Sequence, residues 1–391
     1  MSSNLRISTF NCENLFGLYF SIFFIILFTS CSKDINGPIN GPEYDERNIS
    51  RNEGLSSAPR VAVDNFGNVH VVWKDEAKGE WQIYYRERSN NGEWGEIIEL
   101  SDLEYESLDP DIVTDNNGNV HVVWVEYPEN DMVIFYRERK DSVWSETEEV
   151  SSLGGNDLPA ICVDLTGNIY TSWMGDFGGI SFRKRINGIW NNKVDISGTV
   201  GGENPMMFVE ENGAVHIVYD DLAAGGEAIN YLYSSDGGNT WEEPVEIPNE
   251  GTYYDWVADV VATGGKVYVV WTRSKYGEGI KGLYMAVKDT NGVWGDPEKI
   301  PVAVSAPNFG TIDSDGSYLY LTWRESVNGQ AEVYLAKRDI DGEWEEPINV
   351  SNTSTNSITR GYDISNGIAY IAWFEKLTDD NWDIYFDEVN P

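Results

Sequence analysis

The sequence predicts an all-β chain: a seven-bladed β-propeller of four-stranded blades, with the last blade completed by an N-terminal strand. Three observations predict it. Valine-rich segments ending in an aromatic recur: NVHVVW to Trp73, NVHVVW to Trp124, NIYTSW to Trp173, AVHIVY to Tyr219, KVYVVW to Trp271, YLYLTW to Trp323 and IAYIAW to Trp373. Their spacings are 51, 49, 46, 52, 52 and 50 residues, a period typical of propeller blades. A second series, mostly Gly-x-Trp, runs in step with the first: Trp94, Trp144, Trp190, Trp241, Trp294 and Trp344.

Each unit parses into four strands, A to D. In the first unit strand A is Pro59 to Asp64, and the turn Asn65-Phe-Gly-Asn68 leads to strand B, Val69 to Trp73. Gly67 supplies the positive φ that such a hairpin turn needs. Strand C is Ile83 to Arg88, and the turn Asn90-Asn-Gly-Glu-Trp94 leads to strand D, Glu96 to Ser101. Strand B is apolar at nearly every position rather than at alternate ones, which a sheet covered on both faces requires. Four-stranded units of this period with two-sided burial make a propeller.

Closure of the ring is also legible. The seventh unit has A (Arg360 to Ile364), B (Ile368 to Trp373) and C (Asp383 to Glu388), and the chain then stops at Pro391. The segment Glu46 to Ser50 precedes the first strand A. Ser50 lies nine residues before Pro59, as Ser101 lies nine before Pro110. The N-terminal segment therefore takes the register of a strand D and should complete the last blade, covering two exposed edges.

The composition narrows the functions available. In 391 residues there are 27 Lys+Arg against 65 Asp+Glu, a net charge of −38. Such a surface repels phosphate backbones, so sequence-independent nucleic-acid binding is excluded. An acidic ligand would need a local arginine cluster. Three cysteines, Cys12, Cys31 and Cys162, are too few for a disulfide scaffold. Hydrophobic content of 41% with 15 Trp and 22 Tyr marks a folded chain with ample core.

Residues 1–30 read as an address. Leu15 to Phe28 is an uncharged apolar run, suited to a signal-peptide core and short for a membrane span. Thr29-Ser30-Cys31 follows and resembles the bacterial lipobox, with Phe28 where that motif usually has Leu. The resemblance implies lipidation at Cys31 and a membrane-anchored, extracytoplasmic protein. Residues 31–45, with NGPINGPEYDE, read as a Gly/Pro tether, and residues 46–391 as the propeller. Upstream, Leu5 to Phe16 resembles the first strand of the endonuclease/exonuclease/phosphatase family. The Ser-Asp-His segment that family also needs does not follow, so the match assigns no fold.

Ser234-Ser-Asp236-Gly-Gly238-Asn-Thr-Trp241 fits the Asp-box pattern S-x-D-x-G-x-x-W. It resembles the Asp boxes of sialidases and related BNR-repeat propellers, and falls on the C–D turn as it does there. Other units carry shortened forms, such as Asp289 to Trp294 and Asp339 to Trp344. The resemblance implies architecture over residues 46–391. It implies no activity, since Asp boxes in that family sit far from the active site, and the family's Arg-Ile-Pro entry motif is replaced here by Ala58-Pro-Arg60-Val.

The A–B and C–D turns share one face and are tight. The D–A and B–C connections share the other, and a ligand site is expected there, over the channel. His70, His121 and His216 occupy one repeated position in strand B and point into different seams, so no metal site is expected; no cofactor is implied either. Cys162 reads as a small buried hydrophobe, and the Asp64, Asp115 and Asp164 turns as self-capping. Two residues after the strand B aromatics stand Glu126, Arg273 and Glu325, with Arg324 adjacent, while Arg60 and Asp111 enter on strand A. These are candidate ligand-binding residues around the channel mouth. Trp256 is the sharpest candidate. It belongs to neither Trp series, has no counterpart in the other units, and sits in the D–A loop beside Tyr253, Tyr254 and Asp255. Exposed aromatics suit stacking on sugar rings. The expected function is a cell-surface lipoprotein, monomeric, that binds carbohydrate or another extracellular ligand on the open face. The alternatives are an exo-acting glycosidase of sialidase type or a polysaccharide lyase, and a protein–protein scaffold.

Overall fold

Seven antiparallel sheets follow one another along the chain and close into a ring, in a computed structural model that describes residues 45–391 apart from 53, 102–104, 129–130, 176–177, 199–200, 222–227, 250–252 and 304. The signal segment, Cys31 and the tether up to residue 44 lie outside the described residues. In blade 1 the strands are A Ser56–Val63, B Val69–Asp75, C Gln82–Arg88 and D Ile98–Glu99, hydrogen-bonded in that order. The A strands of successive blades pack against one another around the ring, the last (Asn356–Ser365) against the first, so strand A lines the central channel. Strand B of blade 1 is buried at every position but Lys74, as its unbroken apolar run requires. Strand D is shorter than its sequence suggests, two residues in each complete blade. It is the outer edge, and short edge strands leave little unpaired ladder.

The N-terminal strand does close the last blade. Ile49 N donates to Ile384 O at 2.7 Å and Phe386 N to Arg47 O at 2.9 Å. Ser50 Oγ accepts Ile384 N at 2.9 Å, as Ser101 Oγ accepts Ile83 N at 2.8 Å and Ser151 Oγ accepts Ile134 N at 2.8 Å. A strand-D serine thus anchors strand C in each case. The Arg86 guanidinium donates to Ile49 O at 2.7 Å, and in the next blade Arg137 donates to Leu100 O at 2.8 Å. The seam across the closure is built like the seam beside it.

The two tryptophan series divide the packing. Trp73, Trp124, Trp173, Trp271, Trp323 and Trp373 are fully buried within the blades. The second series joins blades: Trp144 lies edge-on to Tyr85 at 5.0 Å, Trp190 to Tyr136 at 5.3 Å and Trp94 to Phe386 at 5.2 Å, each in the preceding blade. Each histidine is held inside its own blade. His70 Nδ1 is 2.8 Å from the Tyr85 hydroxyl and His121 Nδ1 is 2.7 Å from that of Tyr136.

Candidate functional site at the channel mouth

Every strand A breaks register near its start. In blade 1 the break falls between Ser57 and Arg60, and the same interruption recurs in the other six. In six blades two residues of strand A stand opposite one of strand B, and the first is left-handed: Ala58 (φ 50°), Asp109 (47°), Leu158 (51°), Asn204 (49°), Val257 (53°) and Phe309 (54°). Such conformations are costly for non-glycine residues and cluster at functional sites. The second of the two is Pro59, Pro110, Pro159, Pro205, Ala258 or Gly310. In blade 7 Arg360 alone is left unpaired, between Thr359 and Gly361. A bulge bends its strand and re-aims side chains. Seven in a ring leave a concave mouth to which all seven blades contribute, with a cavity volume of about 50 Å³. Arg60, Asp109, Asn204, Asp259, Thr311 and Arg360 are among its lining residues. Gly361 is packed so closely on blade 1 that a Cβ there would stand 2.6 Å from Pro59 O.

The charges are unevenly partnered. Arg60 Nε lies 3.5 Å from Asp111 Oδ1, while Asp111 Oδ2 accepts Ile161 N at 2.9 Å from the next blade. Asp259 Oδ2 accepts Ile312 N at 2.9 Å in the same way, and burial pushes its carboxyl up to about 6. Arg360 is half-buried, with its guanidinium 5.1 Å from the Phe309 ring centroid, and among the described residues it has no hydrogen-bond or ion-pair partner. Burial, and then the neighbouring Arg60 charge, bring it down to about 10. Asp157, one residue before the left-handed Leu158, is pushed up to about 6 by burial and then by Asp109. Among the described residues no three His, Cys, Asp or Glu side chains converge as a metal site.

Trp256 is on a strand rather than in a loop: it belongs to Tyr254–Thr263 and pairs with Thr272. It is half-buried and lies edge-on to Phe309 at 5.8 Å. Trp256, Phe309 and Arg360 therefore form one contact chain from blade 5 to blade 7, and Arg60, with Asp111 beside it, lines the mouth together with Arg360. The other expected residues lie elsewhere. Asp255 and Arg273 pair with each other, both buried, and Tyr253 covers the guanidinium at 5.0 Å. Tyr254 is half-buried and pairs with Ser274. Glu126 and Glu325 are buried and accept the indole N–H of Trp124 at 2.6 Å and Trp323 at 2.7 Å. Arg324 is half-buried with Nη1 3.4 Å from Asn308 Oδ1. In the Asp box, Ser234 Oγ accepts Gly238 N at 2.8 Å and Asp236 accepts the Thr240 hydroxyl at 2.7 Å, on the face opposite the mouth.

Sequence reasoning passed over Phe309 and gave Arg360 no special weight. A signal was available for Arg360. Four blades carry Pro at that position and two carry Ala or Gly, so an arginine there breaks the repeat as Trp256 breaks its own.

Comparison with protein-family models finds no match, and comparison with curated proteins finds none. Solved structures do match. The BP39L lectin from Burkholderia pseudomallei is similar over 84% of this chain and 98% of its own, at 14% identity and a TM-score of 0.58. The polysaccharide lyase Uly1 is similar over 89% of this chain and 94% of its own, at 12% identity and a TM-score of 0.57. The endosialidase of phage phi92 is similar over 88% of this chain and 68% of its own, at 9% identity and a TM-score of 0.51. At these identities the likeness is one of fold.

Proposed function

We propose that this protein is a carbohydrate-binding propeller whose ligand sits at the channel mouth against Trp256, displayed outside the cytoplasm on a lipid anchor at Cys31. The observation that carries the reading is the concave mouth built by bulges from all seven blades, with the Trp256–Phe309 pair joined to it through Arg360. An aromatic ring beside a pocket of mixed apolar and polar lining suits a sugar, which has an apolar ring face and a hydroxyl perimeter. The neighbours of like fold are named as a lectin, a polysaccharide lyase and an endosialidase, which is consistent with a glycan ligand. Stacking plus a few hydrogen bonds gives affinities on the order of micromolar to millimolar. A glycan array on the purified protein, followed by titration of any hit, tests the reading. Trp256→Ala should weaken binding by about 1–3 kcal/mol while leaving the melting temperature unchanged. Unchanged affinity in that variant removes this site.

Asp157 supports a second reading, in which the same mouth cleaves its glycan as a hydrolase or lyase. A carboxyl near pKa 6 at a site's edge can hold or deliver a proton at neutral pH. Turnover abolished by Asp157→Asn would establish it, and binding without turnover would leave the lectin-like reading.

A further inference from the structure

A second concavity opens on the same face as the mouth, between blades 6 and 7. It has a volume of about 330 Å³ and is lined by Asn328, Gly329, Gln330, Ser354, Thr355 and Asn356. Strand B of blade 6 (Tyr318–Val327) turns at Asn328-Gly329 into strand C (Gln330–Asp339), and Ser354 and Thr355 lead into strand A of blade 7 at Asn356. None of the six residues is charged, on a chain whose net charge is −38. The pocket is fixed from beneath. Asn328 and Gly329 have φ of 55° and 84°, the paired left-handed conformation of a tight two-residue hairpin turn. The Gln330 amide nitrogen donates inward, to Glu332 Oε1 at 2.6 Å, Thr355 O at 3.1 Å and Thr353 O. Asn356 Oδ1 accepts Ala331 N at 2.8 Å, and the Thr355 hydroxyl donates to the buried Glu375. These bonds decide which atoms are left over. Among the described residues, Gln330 Oε1, Asn356 Nδ2, the Asn328 amide and the Ser354 hydroxyl have no hydrogen-bond partner. Sugar hydroxyls both donate and accept, so a wall of mixed donors and acceptors matches them.

We propose that this pocket is a second subsite, which takes a neutral sugar unit of the glycan held at the mouth. The proposal rests on the carbohydrate reading and names its ligand class: a chain of several units with an uncharged, hydroxyl-bearing ring at this position, rather than a single terminal sugar. Asn356 lies four residues before Arg360 on one strand, roughly 13 Å along it, farther than one ring reaches. The groups of the pocket are already ordered by bonds within the protein, which lowers the entropy lost on binding. Two contacts on one chain then reinforce each other. A neutral unit also escapes the long-range repulsion that the net charge imposes on an anionic one.

The test titrates the full-length protein calorimetrically with neutral gluco-, manno-, galacto- and xylo-oligosaccharides, each as disaccharide and hexasaccharide. The hexasaccharide of the recognised series should bind roughly tenfold or more tightly than the disaccharide. Asn328→Gly combined with Ser354→Ala removes two side chains that bond to nothing within the protein, and Gly suits a φ of 55°. This variant should keep the parent's melting temperature and disaccharide affinity and lose most of the hexasaccharide advantage. Asn356→Asp keeps the acceptor for Ala331 N without the Nδ2 donor, and should do the same. Trp256→Ala, in contrast, should weaken both lengths. A parent with no length advantage, or a double variant that keeps it or loses affinity equally at both lengths, overturns the subsite and leaves the mouth standing. Binding of acidic glycans alone overturns the subsite and spares the carbohydrate reading. If no glycan binds at either length, both fall.

Discussion

Arg273 grips both carboxylate oxygens of Asp255, Nε to Oδ1 at 2.7 Å and Nη2 to Oδ2 at 2.6 Å, with both side chains almost wholly buried. Three aromatic rings surround the guanidinium: Tyr284 at 4.4 Å, Tyr253 at 5.0 Å and Trp271 at 5.6 Å. Residues that read as ligand contacts in the sequence thus form an internal strut tying strand A of blade 5 to strand B.

The first prediction follows from that strut. Arg273→Ala or Asp255→Ala leaves one buried charge without its partner, which costs about 3–5 kcal/mol. Urea denaturation should show the loss. The double replacement of both residues by leucine should recover most of it, because the unpaired charge is gone. A normal midpoint for Arg273→Ala, with glycan affinity reduced, would instead make Arg273 a ligand contact.

The second concerns closure. A chain beginning after residue 52 loses Ile49, Ser50 and the hydrogen bonds to Ile384 and Phe386 together. It should be less stable by several kcal/mol, whereas a chain beginning after residue 42 should match the parent. Ile49 is fully buried, so Ile49→Ala alone should cost about 2–5 kcal/mol. Equal melting temperatures for the two truncations would mean the last blade does not depend on this strand.

The architecture was legible because a propeller repeats its message. A strand B that is apolar at nearly every position, a Trp at the C–D turn of six blades and Ser50 in step with Ser101 each say the same thing several times over. The mouth was harder to read. Trp256 and Arg360 show themselves as breaks in the repeat, but nothing in sequence says that Phe309, the blade 6 counterpart of Val257, links them. Glu126 and Glu325 fall at a position that suggests a polar rim. Their burial depends on the neighbouring indole N–H turning toward them, which is a matter of rotamer and not of spacing.

The third prediction concerns pH. Burial raises Asp313 well above the usual carboxylate range, with the Asp363 charge adding to it, and raises Asp363 to about 6. Asp259 also stands at about 6. A carboxyl whose folded pKa is raised stabilises the fold at pH below its unfolded value, and that contribution is lost as pH rises through the folded pKa. Other carboxyls act in the opposite sense. Burial would raise Asp64, but hydrogen bonds from His70 and Asn68 bring it down to about 2, so its contribution is lost as pH falls from about 4 toward 2. The melting temperature should therefore peak near pH 4 and decline from there through about pH 6, as Asp363 and Asp259 ionise in the folded state. Asp363→Asn keeps an acceptor for Val63 N and should flatten the decline. A melting temperature that rises steadily through pH 7 would contradict this account.

The last prediction separates backbone strain from binding at Phe309. Its φ of 54° is left-handed, a conformation costing an ordinary residue about 1–2 kcal/mol. The ring nevertheless stays, edge-on to Trp256 at 5.8 Å and beneath Arg360 at 5.1 Å. Phe309→Gly releases the strain and removes the half-buried ring, two effects of opposite sign, so stability should change by no more than about 1 kcal/mol. Glycan binding should fall at least tenfold, because Trp256 and Arg360 both lose the surface that orients them. Ala58→Gly is the control. It relieves a φ of 50° in blade 1 at the expense of one methyl group, so stability should rise by up to about 1 kcal/mol with binding unchanged. Phe309→Leu keeps the strain and removes the aromatic face, and should lose part of the glycan affinity. Should Phe309→Gly bind as tightly as the parent, the contact chain from Trp256 to Arg360 has no part in recognition, and the strain at Phe309 serves only the geometry of the bulge.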